Sequence, residues 1–204
     1  QVVLRDIGAD AIKTGMLLNA ATIDAVADVL EAEPAARGVP LVVDPVMYAK
    51  GGHALLQPEA VATLKRRLLV LARVVTPNLP EAEALSGMRI RTLDEMRHAA
   101  RTMVTLGCPA VLLKGGHMEG DTLVDVLATE TGLRNFESPR IASSSTHGTG
   151  CTLASAIAAG LAQGLDLEIA VARAREYVRR AIETAPGLGA GHGPLNHAHT
   201  VRRP

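Results

Sequence analysis

Short apolar runs alternate with longer stretches of helical spacing, and nothing else in the sequence limits the possible folds as much. Residues 39–43, 73–76 and 110–113 read as buried strands, stopped by Asp44-Pro45, Pro77 and Lys114-Gly115-Gly116. Residues 11–16 look like a strand end. Between them, residues 22–33 carry Ile23, Val26, Ala27 and Leu30 at helical spacing, with Thr22 as a candidate cap. Residues 58–71 read as a helix with Pro58 in its first turn, and residues 93–106 as a helix ended by Gly107. Residues 122–128 and the region of Phe136 are expected to pair as a hairpin. Residues 149–163 and 167–184 complete the helices. A parallel pair needs a long crossover, so strands alternating with helices predict a mostly parallel sheet covered on both faces. The expected class is α/β, in a single domain over residues 1–204. Residues 1–7 read as the last turns of a helix, so the chain is expected to begin inside a structural unit, with an N-terminal segment missing. The glycine-, histidine- and proline-rich tail reads as loop.

Composition removes several classes of function. Lys+Arg and Asp+Glu both number 21, so there is no global basic footprint for nucleic acid. No apolar run reaches the roughly 18 residues expected of a membrane span, so no membrane role is expected. Two cysteines, Cys108 and Cys151, do not make a disulfide framework, which favours a reducing, cytoplasmic setting. With no Trp, one Phe and two Tyr, the core must be aliphatic.

In open α/β sheets, ligands bind beyond the carboxyl ends of the strands. Here those ends carry Thr14-Gly15-Met16, Asp44-Pro45-Val46-Met47, Thr76-Pro77-Asn78 and Lys114-Gly115-Gly116-His117, with Glu81 three residues past the amide. Carboxylates for a divalent metal or its waters, with a lysine for phosphate oxygens, suit a phosphate ester. The most specific stretch is His147-Gly148-Thr149-Gly150-Cys151-Thr152, followed at once by an apolar helix. Its glycines let backbone N–H groups converge, and the helix N-terminus adds partial positive charge. Cys151 falls in the first turn, where a thiolate is favoured. Each feature also has a plain structural reading. Gly-x-Gly turns are common before helices, a lone cysteine is often a small buried residue, and Asp44 before Pro45 could simply form a turn. Lys114 could be a solvated strand end and Glu81 an ordinary first-turn acid. His197 and His199 are a weak metal pair, and Cys108 and His98 read as structural or surface residues. The P-loop pattern is absent.

Together these segments resemble the hydroxymethylpyrimidine/phosphomethylpyrimidine kinases, in the family's order, through to Gly191-His192-Gly193-Pro194-Leu195-Asn196-His197. The resemblance implies a ribokinase-like three-layer α/β/α fold, ATP and Mg²⁺ as cofactors, and a pyrimidine alcohol as substrate. It also implies a homodimer. It makes Cys151 the base and Gly148, Thr149 and Gly150 an anion hole. Asp44 and Glu81 would organise Mg²⁺, while Asn78, Lys114, Gly191 and His192 would lie along the nucleotide. Met16 and Val46 would sit near the pyrimidine. Relatives open with a strand and a glycine-rich loop that nothing here matches. Tyr48 and Gly51-Gly52-His53 also depart from the pattern. Related vitamin kinases for pyridoxal or hydroxyethylthiazole, and a nucleotide-binding fragment without turnover, are the alternatives.

Overall fold

The computed structural model describes residues 1–49 and 52–201. Helix α1 (Val2–Asp6) leads into strand β1 (Ile12–Thr14), helix α2 (Ala20–Ala32) and strand β2 (Leu41–Val43). Helix α3 (Ala60–Arg67), strand β3 (Val74–Val75), helices α4 (Leu79–Ser86) and α5 (Leu93–Thr105) and strand β4 (Ala110–Leu113) follow. Strands β5 (Thr122–Thr129) and β6 (Gly132–Pro139) form the expected hairpin before helices α6 (Thr149–Ala162) and α7 (Leu167–Glu183). The strands lie in sequence order, β1 to β6; β1 to β4 are parallel, and β5 and β6 are antiparallel.

An unbroken strand order with crossovers of one hand puts α2, α3 and α5 on the same face. The later helices α6 and α7 take the other. The alternation of side chains along each strand divides the core accordingly. Leu41 and Val43 join a cluster with Ile23 of α2, Leu64 of α3, Leu85 of α4 and Met96 and Met103 of α5. Val42, Val74 and Leu112 join the opposite cluster, with Leu153 and Ile157 of α6 and Val171 and Ala174 of α7. Met103 is 1% exposed, so Met103→Ala should cost about 2–5 kcal/mol through lost burial and the cavity left behind. Helices α6 and α7 approach closely at Gly160, where an added methyl would lie 2.9 Å from Ala170 Cβ.

Three local expectations change. The cap of α2 is Asn19, not Thr22; its side chain accepts the Thr22 N–H, so the helix begins earlier. Residues 58–71 are not one helix: α3 stops at Arg67 and a 3₁₀ turn over Leu69–Leu71 carries the chain to β3. Helix α4, unassigned from the sequence, is organised by Asn78, with Pro80 in its first turn and a left-handed Gly87 (φ 74°) as its C-cap. In the atypical loop after β2, Tyr48 pairs with Ala54, while Gly51 falls outside the described residues. The described part of the tail is held in place: Tyr177 Oη donates to the His197 carbonyl, and the His199 ring packs tilted against Tyr177, centroids 4.5 Å apart.

Candidate active site

The period of two that sorts the core also aims the functional side chains. Val42 faces α6, so Asp44 two residues on does too, and the same step leads from Val74 to Thr76 and from Leu112 to Lys114. These side chains meet beyond the strand ends. Lys114 Nζ lies 3.0 Å from Asp44 Oδ1, and Thr76 Oγ1 donates to the same oxygen at 3.1 Å. Asp44 is 2% exposed. A carboxylate this buried needs its cation, since removing one partner of a buried pair typically costs about 3–5 kcal/mol. Asp44 Oδ2 has no protein hydrogen-bond partner among the described residues.

Asn78 and Lys114 bridge the ends of β3 and β4, and the Lys114 N–H donates to the Pro77 carbonyl at 2.8 Å. Asn78 and Glu81 close a reciprocal capping box on α4: the Glu81 N–H donates to Asn78 Oδ1 at 2.9 Å, and the Asn78 N–H to Glu81 Oε2 at 2.8 Å. Burial pushes the Glu81 carboxyl above its usual value. The Lys114 charge and the N–H groups of Asn78 and Met47 pull it back, while neighbouring Asp44 adds to the rise.

Helix α6 starts differently. Its N-cap is Gly148 in the left-handed region (φ 80°), with no side-chain cap. The Thr149 and Thr152 hydroxyls turn back, donating to the carbonyls of Thr146 and Gly148. The backbone N–H groups of Thr149, Gly150 and Cys151 precede the first helical hydrogen bond, from the Thr152 N–H to the Gly148 carbonyl. A methyl on Gly150 would stand 3.2 Å from Lys114 Nζ, so the lysine lies directly against this turn. Cys151 is exposed there. The result is a shelf with an ammonium on one side and first-turn amides outside the helical ladder on the other, which suits a phosphoryl group.

The remaining candidates lie on neighbouring segments. The Gly193–Pro194 segment docks on the loop before α6: the His147 N–H donates to the Gly193 carbonyl, and the Gly193 N–H to the Ser144 carbonyl, each at 3.2 Å. An added methyl at Gly193 would lie 2.7 Å from Ser145 Oγ, so the tail approaches closely and carries Gly191 and His192 to the α6 side. Met16 is 60% exposed on the loop after β1, which turns into α2 through a left-handed Leu18 (φ 63°). Val46 sits one turn past Asp44, its N–H donating to the Asp44 carbonyl.

Asp44 and Glu81 supply only oxygen, the donor chemistry of a hard divalent cation that keeps waters and phosphate oxygens as further ligands. No cluster of three or more His, Cys, Asp or Glu side chains exists among the described residues. His199 Nε2 lies 3.1 Å from the Tyr177 carbonyl, so the histidine pair serves to tether the tail. Burial pushes the Cys108 thiol up to about 11, in keeping with a structural role. A cavity of about 640 Å³ opens at the opposite end of the sheet, among residues such as Ile12, Leu41, Arg73 and Leu167, and shares no residue with the shelf. Sequence reasoning missed Asp125 and Arg175, which pair behind Lys114 at 2.8 Å; the signal was a lone acid inside the apolar run Leu123-Val124-Asp125-Val126-Leu127.

The sequence model of the phosphomethylpyrimidine kinase family matches residues 1–196. The chain is 53% identical over 195 residues to the thiamine biosynthesis bifunctional protein ThiED of Geobacter sulfurreducens, spanning 96% of this chain and 39% of that protein. It is 44% identical over 196 residues to the hydroxymethylpyrimidine/phosphomethylpyrimidine kinase of Bacillus subtilis, covering 96% of this chain and 71% of the relative. Among solved structures it resembles an ADP complex of Bacillus subtilis pyridoxal kinase, with TM-score 0.88 and 36% identity over 98% of this chain and 75% of that one. It also resembles the phosphomethylpyrimidine kinase of Clostridium difficile 630, with TM-score 0.76 and 36% identity over 89% and 72%. The three-layer arrangement is therefore the ribokinase-like fold that the motifs implied. With its motifs in order, its fold matched and its length covered almost to the end, the chain belongs to the phosphomethylpyrimidine kinase family.

Proposed function

We propose that this chain carries the nucleotide and phosphoryl-transfer site of an ATP-dependent kinase of thiamine biosynthesis. It would phosphorylate 4-amino-5-hydroxymethyl-2-methylpyrimidine and then the monophosphate, giving the pyrophosphate. The observation that carries this reading is the meeting of Lys114 with the uncapped first turn of α6, next to the buried Asp44.

In the first transfer, the substrate hydroxymethyl oxygen attacks the γ-phosphorus of ATP, the bond to the β-phosphate bridging oxygen breaks, and ADP leaves. Cys151 accepts the hydroxyl proton. The N–H groups of Thr149, Gly150 and Cys151 receive the negative charge on the transferring group, and Lys114 balances it from the other side. Asn78, Gly191 and His192 flank the nucleotide, while Met16 and Val46 border the pyrimidine. Asp44 and Glu81 would hold Mg²⁺, directly or through water, where it would neutralise phosphate charge. In the second transfer the acceptor is already an anion, so Cys151 should matter less. A single domain, a homodimer and a cytoplasmic setting belong to the same reading.

Mass spectrometry of the products formed by the intact protein from Mg·ATP and hydroxymethylpyrimidine phosphate tests this reading. Pyrophosphate above a no-enzyme control is expected. ATP binding without product would favour the nucleotide-binding alternative. A second reading, pyridoxal phosphorylation, is favoured by the higher TM-score to pyridoxal kinase, 0.88 against 0.76. The 44% and 53% identities to relatives named for the pyrimidine pathway support the first reading. Competition between the two alcohols separates them.

A further inference from the structure

The β4–β5 ladder ends at the Leu113–Val126 pair, one residue before Lys114. Beyond it the chain presses against β5, because a methyl on Gly115 would stand 1.9 Å from the Val124 carbonyl oxygen. Gly115 is buried, so its N–H needs a partner. Asp125 of β5 supplies one, its Oδ1 accepting the Gly115 N–H at 2.9 Å. The other oxygen, Oδ2, takes Arg175 Nε of α7 at 2.8 Å. Arg175 also reaches Ser138 Oγ at 3.3 Å and lies over the Phe136 ring at 5.7 Å. Side-chain exposures of 12% and 6% leave this ion pair little water to replace either partner. Past Gly115, Arg140 at the end of β6 donates to the carbonyls of Gly116, Met118 and Gly120, which fixes the rest of the loop.

Lys114 is thus gripped on both sides. Its own N–H is held by Pro77 of the parallel half of the sheet, and the next N–H by Asp125 of the antiparallel hairpin. We infer that Asp125 is a positioning residue for Lys114, and that Arg175 keeps the Asp125 carboxylate aimed at Gly115. The hairpin and α7 then set how the lysine meets the nucleotide phosphates, without touching substrate themselves. The inference rests on the kinase reading for its consequence, but its first readout does not need turnover.

Two double variants of the intact protein separate the hydrogen bond from the charge. Asp125→Asn with Arg175→Met keeps an oxygen for Gly115 and removes the ion pair; Asp125→Leu with Arg175→Met removes both. The affinity for an ATP analogue should fall about tenfold in the Leu/Met protein, the loss of one well-placed polar contact, and stay within about threefold of the parent in the Asn/Met protein. The KM for ATP should follow the same pattern, with the KM for the alcohol unchanged. Equal nucleotide affinity in the two doubles, or equal rises in both KM values, would overturn the inference. If the Leu/Met protein does not fold, amide exchange at Gly115 decides: protection kept in Asn/Met but lost in Asp125→Ala supports it, and equal protection in both rejects it. Analogue binding that behaves as stated without any turnover would count against the kinase reading alone.

Discussion

Helices α4 and α6 both begin at the carboxyl edge of the sheet, within reach of Lys114, and they begin in opposite ways. Helix α4 satisfies its own first turn: Asn78 and Glu81 exchange hydrogen bonds, and the fold gains a stable helix start. Helix α6 starts on a left-handed glycine, with no side-chain cap. A capped N-terminus contributes typically about 1 kcal/mol to stability. An open one gives that up and keeps N–H groups and partial positive charge for an anion. On the proposed reading, the difference separates a helix that positions side chains from a helix whose own amides receive the anion.

Breaking the open end should have the largest effect on catalysis. Cys151→Ala is expected to slow transfer to the alcohol by about 10²–10⁴-fold, with a smaller loss for the monophosphate and little change in Tm. Product mass spectrometry with each acceptor reads this, and equal losses would remove Cys151 as the base. Gly150→Ala should move stability and activity in opposite directions. Its methyl would crowd Lys114 Nζ at 3.2 Å, lowering kcat/KM about tenfold. Replacing a helical glycine should raise thermal stability by up to about 1 kcal/mol.

At the capped end the ranking reverses. Asn78→Ala should cost about 1 kcal/mol in denaturant unfolding and also raise the KM for ATP. Thr92→Ala, which opens the capping box of α5 away from the site, should cost about the same and leave kcat/KM unchanged. The smallest effect is one of pH. Because burial raises the Glu81 carboxyl, the folded state holds that proton more tightly than the unfolded chain. Stability of the unliganded protein due to this group should therefore rise as pH falls from the raised value towards 4.5, and stay flat above it. Glu81→Gln should abolish that rise in pH-dependent melting, and an unchanged profile would mean that Glu81 is not the group responsible.

The parallel half of the fold was legible because each buried run ended on a strong signal: Asp44-Pro45, Pro77, or Lys114-Gly115-Gly116. The same signals located Asp44, Asn78, Lys114 and the α6 turn. Helix α4 went unassigned because its short apolar pattern is weak and its capping box holds it in place. The cap falls at Asn19 and not at Thr22 because periodicity marks the first apolar contact, while the cap lies before it. Asp125 and Arg175 lie fifty residues apart, and only the antiparallel pairing of β5 with β4 brings the acid behind Lys114. Local patterns do not carry that register.

The proposed chemistry depends on the claim that the first turn of α6 receives the transferring phosphoryl group. Amide chemical shifts of the intact protein, recorded before and after adding Mg·ADP with tetrafluoroaluminate, test it most directly. The largest shifts are expected at the Thr149, Gly150 and Cys151 amides. The Glu81 amide, already bonded to Asn78, should move little. Nucleotide binding that leaves the three α6 amides unmoved would contradict the claim.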